Sequence, residues 1–222
     1  MNISTILGEK NSVVGYAEDI PVIPLGFDIN INGKFKNASE EVITIEDPLV
    51  SQNVTVLCWL NGKFITEFFL TPSIADPGGA IIGPMPESVE LKKGESRTVS
   101  VSLYERNLGS FLRVGNFKVS FAYDTIEAPP CEFIISFKKR SVLKLLSMLQ
   151  DEFINVWARG ESLKWLQKVN PEFEYDFEAS DQTENRKRVE EFKCWWEENR
   201  DSLEMDALFA KLSNLEGFES KK

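Results

Sequence analysis

A strict alternation of apolar and polar residues between positions 91 and 124 constrains the fold of this chain more than any other feature. The alternating apolar residues are Val99, Val101 and Leu103 in the first half, and Phe117, Val119, Phe121 and Tyr123 in the second. Successive side chains of a β-strand point to opposite faces, so a period of two places one set of side chains in a core and the other in water. The stretch therefore predicts two strands that share a core face.

The same period recurs in shorter segments on both sides of this stretch. Further predicted strands cover residues 27–35, 43–45, 54–60, 64–70 and 133–137. The Asn61-Gly62 pair between two of these segments is a typical two-residue hairpin turn. Seven or eight short strands, each with one apolar face, predict an antiparallel β-sandwich over residues 1–138.

At Lys138 the period of the apolar residues changes to that of an amphipathic helix. The apolar residues that recur at intervals of three, four and seven are Val142, Leu145, Leu146, Leu149, Phe153 and Val156. Gly160 is suited to a helix C-cap, so this helix is expected to end there. Further helices are predicted at 162–169, from about 181 to 199, and around Leu203, Leu208, Leu212 and Leu215. The expected fold is thus an all-β sandwich, residues 1–138, followed by a small α-helical domain, residues 139–222, α+β overall.

Two adjacent tryptophans stand on the predicted helix that covers residues 181–199. Trp196 is in step with Val189 and Phe192, and these three side chains are expected to be buried. Trp195 lies about 100° away around the helix, so the two rings cannot both occupy the centre of one narrow face. We expect Trp195 to cover the β domain or the 170–180 segment. A stacking platform for sugar or peptide is the functional alternative.

The chain contains no histidine. This excludes Ser-His-Asp and Cys-His nucleophile pairs and removes the commonest ligand of zinc, copper and non-haem iron. The sequence also has no glycine-rich phosphate loop after a strand and no calcium-loop spacing. We therefore expect no catalytic residue, no metal and no cofactor. The cysteines Cys58, Cys131 and Cys194 are too few for a disulfide framework and are expected to be inert.

The net charge of −10 disfavours a nucleic acid or an anionic membrane as the main partner, because both would be repelled. It is compatible with a basic protein partner. The sequence has no run of about 20 apolar residues that would span a bilayer. If Met1 is the native start, the protein is expected to be cytoplasmic; if a leader was removed, export is the alternative.

Residues 71–88, TPSIADPGGAIIGPMPES, are rich in proline and glycine and show no period, which predicts a long loop. Loops longer than about 12–15 residues are uncommon and often functional. The candidate binding residues are therefore Asp76, Ile81, Ile82 and Met85 in this loop, together with Trp195 on the later helix. The alternative is that the apolar loop residues fold back over an open end of the sandwich, and the sequence leaves both interpretations open.

Short motifs in both regions carry a family resemblance. In the β region they are Asn37-Ala38-Ser39, Leu91-x-x-Gly94-Glu95-Ser96 and Gly115-Asn116-Phe117-x-Val119. On these motifs the β region resembles bacterial immunoglobulin-like modules, including the intracellular proteinase-inhibitor type. In the helical region they are Phe173-x-Tyr175-Asp176 and the later Trp195-Trp196-Glu197. This segment is similar to the helical end of bacterial HEAT-repeat-like modules. Both resemblances imply a scaffold or packing role and no catalytic residue.

The expected function is that of a non-catalytic protein–protein interaction module of a bacterial protein. A toxin-neutralising immunity protein or a proteinase inhibitor is its specific form, because an acidic surface accelerates capture of a basic partner. One alternative is a carbohydrate-binding or cell-envelope-associated module that uses loop aromatics. The other is a hydrolase that uses carboxylates alone, which would need two acids roughly 5–9.5 Å apart in a cleft.

Overall fold

A computed structural model of the chain describes residues 1–7, 15–17, 20–48, 51, 53–69, 74–75, 81–82, 87–103, 108–179 and 182–213. Over these residues a β region that ends at Ser136 is followed by four α-helices, which confirms the expected α+β fold class. No helix in the described part is long and apolar enough to cross a membrane. The proposed division at residue 138 stays a prediction.

The strands are short, and seven of those described lie on the alternating segments that the sequence predicts. They are β1 Asn2–Leu7, β2 Gly15–Ala17, β3 Ile20–Pro24, β4 Asn30–Lys36, β5 Ile43–Glu46, β6 Val54–Leu60, β7 Lys63–Phe69, β8 Ile74–Ala75, β9 Ile81–Ile82, β10 Ser88–Leu91, β11 Ser96–Ser102, β12 Gly115–Tyr123, β13 Ile126–Glu127 and β14 Cys131–Ser136. A 3-10 turn at Leu108–Phe111 separates β11 from β12.

The described strands form two main sheets that pack face to face. The smaller sheet has the order β1-β4-β11, and the larger one the order β2-β3-β14-β12-β6-β7, with β13 beside β12. The ring of Phe121 on β12 lies 6.5 Å from that of Phe35 on β4, in an edge-to-face arrangement. A Cβ atom on Gly33 would come within 2.8 Å of the Phe121 ring. The absence of a side chain at Gly33 therefore lets this ring fill the space between the sheets.

One strand pair departs from the antiparallel pattern that the sequence predicts. β3 runs parallel to β14, with Val22 opposite Ile134 and Ile23 opposite Ile135. Antiparallel neighbours can be joined by a hairpin, whereas parallel neighbours need a longer connection. In the sequence, β3 lies near the start of the β region and β14 at its end. The strands between them therefore form the long connection that a parallel pair needs. Alternation within a strand cannot reveal its direction relative to a distant neighbour.

The hairpin between β6 and β7 forms where the sequence predicts it. Asn61 and Gly62 have φ values of 50° and 77°. Positive φ at both turn residues is typical of the type I′ turn, whose twist matches that of the flanking strands. The Asn116 N–H donates to the Asn61 side-chain oxygen at 2.9 Å. The motif that begins at Gly115 therefore supports this hairpin.

The other two motifs of the resemblance meet at Asn37, a fully buried polar side chain. Its Nδ2 donates to the carbonyl oxygens of Leu91 at 2.8 Å and of Glu41 at 2.7 Å. The backbone N–H of Gly94, which has a φ of 79°, donates to the Asn37 carbonyl oxygen at 2.9 Å. Buried polar groups need such partners, because an unpaired group costs about 1–3 kcal/mol. These motifs therefore hold turns of the sandwich and form no binding site by themselves.

The helices are α1 Lys139–Gln150, α2 Val156–Val169, α3 Thr183–Asn199 and α4 Leu203–Ser213. The single helix expected between Lys138 and Gly160 is wrong, because α1 ends at Gln150 and Gly160 lies inside α2. Asp151 accepts the Phe153 N–H at 2.9 Å, and Asn155 caps α2 by accepting the Ala158 N–H at 2.8 Å. These two local acceptors break one helix into two.

Phe137, the residue after β14, joins the sandwich to the helices. Its ring stacks on Trp165 of α2 and on Phe209 of α4, in both cases with ring centres 5.0 Å apart. The Trp165 indole N–H donates to the Leu112 carbonyl oxygen at 2.9 Å. Ser213 donates to the Phe137 carbonyl oxygen at 2.9 Å. Buried apolar residues of both regions form one continuous cluster.

Replacing Gly160 by alanine tests the corrected helix boundary. A Cβ atom at this position meets no atom within 4 Å. Alanine favours a helix interior over glycine by about 1 kcal/mol, so Gly160→Ala should stabilise the protein by about that amount in urea unfolding. The matched variant Gly115→Ala should destabilise it, because that Cβ would lie 2.6 Å from Leu60 and φ is +143°. A neutral or destabilising Gly160→Ala would mean that α2 does not run through this residue.

Candidate functional site

The structure tests only part of the predicted binding loop. Asp76 and Met85 lie outside the described residues. Ile81 and Ile82 form β9, which pairs with β8 through Ile74 opposite Ile82. The expectation of a loop without secondary structure over 71–88 is therefore wrong at Ile74–Ala75 and Ile81–Ile82, while 71–73, 76–80 and 83–86 lie outside the described residues. The role of these residues in binding stays a prediction.

The two tryptophans of α3 have different environments. Trp196 is 1% exposed and packs against Phe209, with ring centres 5.9 Å apart. Val189 and Phe192 are buried beside it, as the sequence predicts. Trp195 is half-buried, and its ring centre is 5.7 Å from that of Phe192. The 100° step between them places one ring in the core and the other at a surface cleft.

This cleft, which we call the Trp195 cleft, lies between α3 and the segment that precedes it. It encloses about 330 Å³ and is lined by Asn170, Glu172, Phe173, Glu174, Glu184, Arg188, Glu191, Phe192 and Trp195. That volume is at the lower end of the range of ligand-binding pockets. Trp195, a candidate binding residue from the sequence, lines this cleft.

A network of contacts fixes the 170–179 segment against α3. Phe173 is buried, and its ring centre lies 4.5 Å from that of Phe192. The buried Asn185 accepts the Asp176 N–H at 3.0 Å and donates to the Asp176 carbonyl oxygen at 2.6 Å. This paired exchange orients the segment, so that Glu172 and Glu174 face the same cleft as Trp195. The aromatic residues of the segment thus have packing partners.

The charge of the cleft is strongly negative. Its lining contains four glutamates and one arginine, a formal charge of −3. Arg188 lies 3.4 Å from Glu174 and 3.3 Å from Glu184. A neighbouring cleft of about 330 Å³, lined by Leu163, Gln167, Glu174, Tyr175, Asp176 and Arg188, shares the Arg188–Glu174 pair. Together the clefts form an acidic groove with aromatic side chains along it.

The sequence signals this groove only in part. The acids of the 170–180 segment and those of α3 are visible in the sequence, but those that line the cleft are 10 to 19 residues apart. The Asn185–Asp176 exchange is the contact that brings them together. Among the described residues, no group of three or more histidine, cysteine, aspartate or glutamate side chains is arranged to hold a metal ion.

The cysteine thiols differ in their surroundings. Burial, together with the nearby Cys131, raises the pKa of the Cys58 thiol to about 12. Burial, together with the neighbouring Glu132 charge, also raises the pKa of the Cys131 thiol to about 12. Cys194 on α3 is exposed. A thiol whose pKa is near 12 is protonated at neutral pH, so neither Cys58 nor Cys131 is a ready nucleophile.

No protein-family model matches the chain, and no curated protein matches it. Among solved structures, a β-glucosidase from Listeria innocua is similar at 16% identity and a TM-score of 0.31, over 60% of this chain and 16% of that chain. The CARDB domain of PF1109 from Pyrococcus furiosus is similar at 8% identity and a TM-score of 0.30, over 62% of this chain and 96% of that one.

An alkylpurine DNA glycosylase from Pseudomonas fluorescens, bound to DNA, is similar at 11% identity and a TM-score of 0.29, over 60% of this chain and 30% of that chain. This chain therefore spans less than a third of the length of either enzyme. At these identities and TM-scores the likeness carries no argument about function. The likeness to proteinase inhibitors and to HEAT-repeat modules stays a prediction.

Thiol modification tests the described environments of the cysteines. At pH 8 a thiol with a pKa of about 12 is ionised to about one part in ten thousand, so the native protein should react rapidly at Cys194 alone. An aromatic disulfide reagent should therefore release one equivalent quickly from the native chain and three from the unfolded chain. Cys194→Ser should remove the fast phase. Rapid labelling of Cys58 in the native protein would contradict the buried position of β6.

Proposed function

We propose that this chain is a non-catalytic protein-binding module that captures a basic segment of another protein in the Trp195 cleft. The observation that carries the proposal is the combination of four glutamates, one arginine and a half-buried tryptophan around one cleft. Such a surface is complementary to lysine and arginine side chains. The acidic cleft therefore supports the interaction with a basic protein partner that the net charge of −10 suggests.

Two physical terms favour a basic occupant. A lysine or arginine side chain over the face of Trp195 would gain a cation–π interaction, estimated at about 0.5–2 kcal/mol according to its solvent exposure. The surrounding carboxylates would attract the same charge and accelerate its approach. Lys168 already lies 3.7 Å from the centre of the Trp165 ring, which illustrates this contact within the same helical region. The Arg188 pairs keep two of the glutamates in place on the cleft wall.

The proposed absence of catalysis is supported by chemistry. The sequence has no histidine to act as a general base, and burial raises the pKa of two of the three thiols to about 12. The carboxylates of the cleft fit the attraction of a cation, since Arg188 and Lys187 already lie 3.3–3.8 Å from three of them. Within this function, an immunity protein or an inhibitor that neutralises a basic toxin or enzyme is the form that matches an acidic cleft on a rigid scaffold.

Binding of a short capped lysine peptide of about six residues tests the proposal, with a glutamate peptide of equal length as the control ligand. The lysine peptide should bind at low salt and weaken as salt screens the charges. Trp195→Ala and Glu191→Lys should each reduce its affinity by about tenfold, or about 1.4 kcal/mol.

The matched control is Glu90→Lys, which makes the same charge change at an exposed position on β10 in the β region. Measured at about 0.1 M salt, where the Debye length is about 10 Å, it should leave the affinity within about twofold, because Glu90 does not line the cleft. Equal losses in Glu90→Lys and Glu191→Lys would show that only net charge matters and would contradict a site at the cleft. Absence of binding at low salt would also contradict it, and so would preferential binding of neutral oligosaccharides at Trp195.

A further inference from the structure

Large apolar side chains are exposed at the start of α2, remote in sequence from the Trp195 cleft. Phe153 is 101% exposed, Val156 65% and Trp157 51%. We call these three residues the α2 patch. The sequence pattern assigns Phe153 and Val156 to the buried stripe of a helix, but the break at Asp151 turns them outward. The other exposed large apolar residues of the described chain are far apart in sequence, except Phe64 and Phe69 on β7, whereas these three fall within five positions.

Hydrogen bonds hold the α2 patch in place. The side-chain carboxylate of Asp151 accepts the Phe153 N–H at 2.9 Å, and the backbone carbonyl oxygen of Asp151 accepts the Ile154 N–H at 3.2 Å. Asn155 caps α2, and the Arg159 side chain donates to the Leu149 carbonyl oxygen of α1 at 2.8 Å. The patch is therefore presented on an ordered turn. A surface that is already ordered loses less conformational entropy when a partner binds.

The size and charge of the α2 patch select among occupants. One fully exposed phenylalanine with a half-exposed tryptophan and a valine offers on the order of 400 Å² of apolar surface. Any partner that covers the patch would bury about 800 Å² in total, below the roughly 1,200 Å² of a stable specific interface, so the area fits a transient contact and the charge selects the occupant. Asp151 and Glu152 beside the patch are exposed acids. They would repel the same patch on a second copy, and they would also repel an anionic membrane.

We propose that the α2 patch is a docking site for an amphipathic helix of another protein that carries lysine or arginine beside its apolar face. The apolar face of such a helix would cover Phe153, Val156 and Trp157, and its basic residues would meet Asp151 and Glu152. Helix recognition through a few apolar anchors is a common binding mode, and charge complementarity at the rim adds specificity. The α2 patch shares no residue with the Trp195 cleft, so this inference does not depend on the function proposed for the cleft.

The probe is a peptide of about 14 residues, four helical turns, with leucine and lysine placed so that all leucines share one face. Two control peptides are a leucine–glutamate version and a version with the same composition but with leucines all around the helix. The affinity of each is measured by fluorescence anisotropy at low and at physiological ionic strength. The wild-type protein should prefer the amphipathic leucine–lysine peptide over both controls.

Phe153→Ser should weaken binding of this peptide by about tenfold, as expected for an apolar anchor. Leu203→Ser is the matched control, because Leu203 is 87% exposed on α4, and it should leave the affinity unchanged. Both substitutions replace highly exposed side chains, so both variants should fold, which circular dichroism can verify. Glu152→Lys should weaken binding of the leucine–lysine peptide and improve that of the leucine–glutamate peptide.

Distinct results separate this inference from the proposed cleft. Trp195→Ala should not change binding of the amphipathic peptide, and Phe153→Ser should not change binding of the short lysine peptide. Equal affinity of Phe153→Ser and wild type for the amphipathic peptide would overturn the inference, even if the cleft binds lysine. Sedimentation that shows a dimer lost in Phe153→Ser would assign the patch to a second copy instead. Vesicle binding that depends on Phe153, without peptide binding, would assign it to a membrane and would equally overturn the inference.

Discussion

The stacking of Phe137 between Trp165 and Phe209 is the contact on which the rest of the structure depends. Phe137 follows the last strand directly, so the chain passes from sandwich to helices through a fully buried ring. Large aromatic side chains bury 150–250 Å² each, and stacked pairs add about 0.5–1.5 kcal/mol to that gain. The hydrogen bond from the Trp165 indole N–H to the Leu112 carbonyl oxygen fixes the orientation of the indole ring that stacks on Phe137.

This joint determines which helix faces are left for binding. Trp165 holds one side of α2 against the β region, so Val156 and Trp157 at its start remain exposed. Trp196 of α3 packs on Phe209 of α4, so its neighbour Trp195 is turned toward the cleft. Both candidate surfaces are therefore consequences of how the helices meet the sandwich. Their side chains stand on α2, on α3 and on segments held by hydrogen bonds, which limits the entropy lost when a partner binds.

Much of the local structure follows from the sequence alone. The strand at Val54–Leu60, the Asn61-Gly62 turn and the buried face of α3 agree with the predictions, because each depends on residues close in sequence. The break between α1 and α2 was missed because the regular apolar spacing outweighed two short acceptors, Asp151 and Asn155.

The remaining errors have a common cause. The parallel pairing of β3 with β14 and the contact between Asn185 and Asp176 depend on which segments meet in space. No periodicity records such contacts, and for that reason the acids of the Trp195 cleft could not be assigned to one site from the sequence. Trp195 itself was identified only because it differs in phase from the buried Trp196. Its partners in the cleft required the structure.

The central claim is that the sandwich and the helices are stabilised by one shared core. Urea unfolding of wild type and of Phe137→Ala, followed by tryptophan fluorescence and by far-ultraviolet circular dichroism, tests it most directly. Fluorescence reports mainly on the helical region, because four of the five tryptophans lie there, whereas circular dichroism reports on both regions. The shared core predicts coincident transitions in both proteins and a loss of about 3–5 kcal/mol in the variant. Separate transitions in the wild type, or a variant in which only the fluorescence transition shifts, would contradict it.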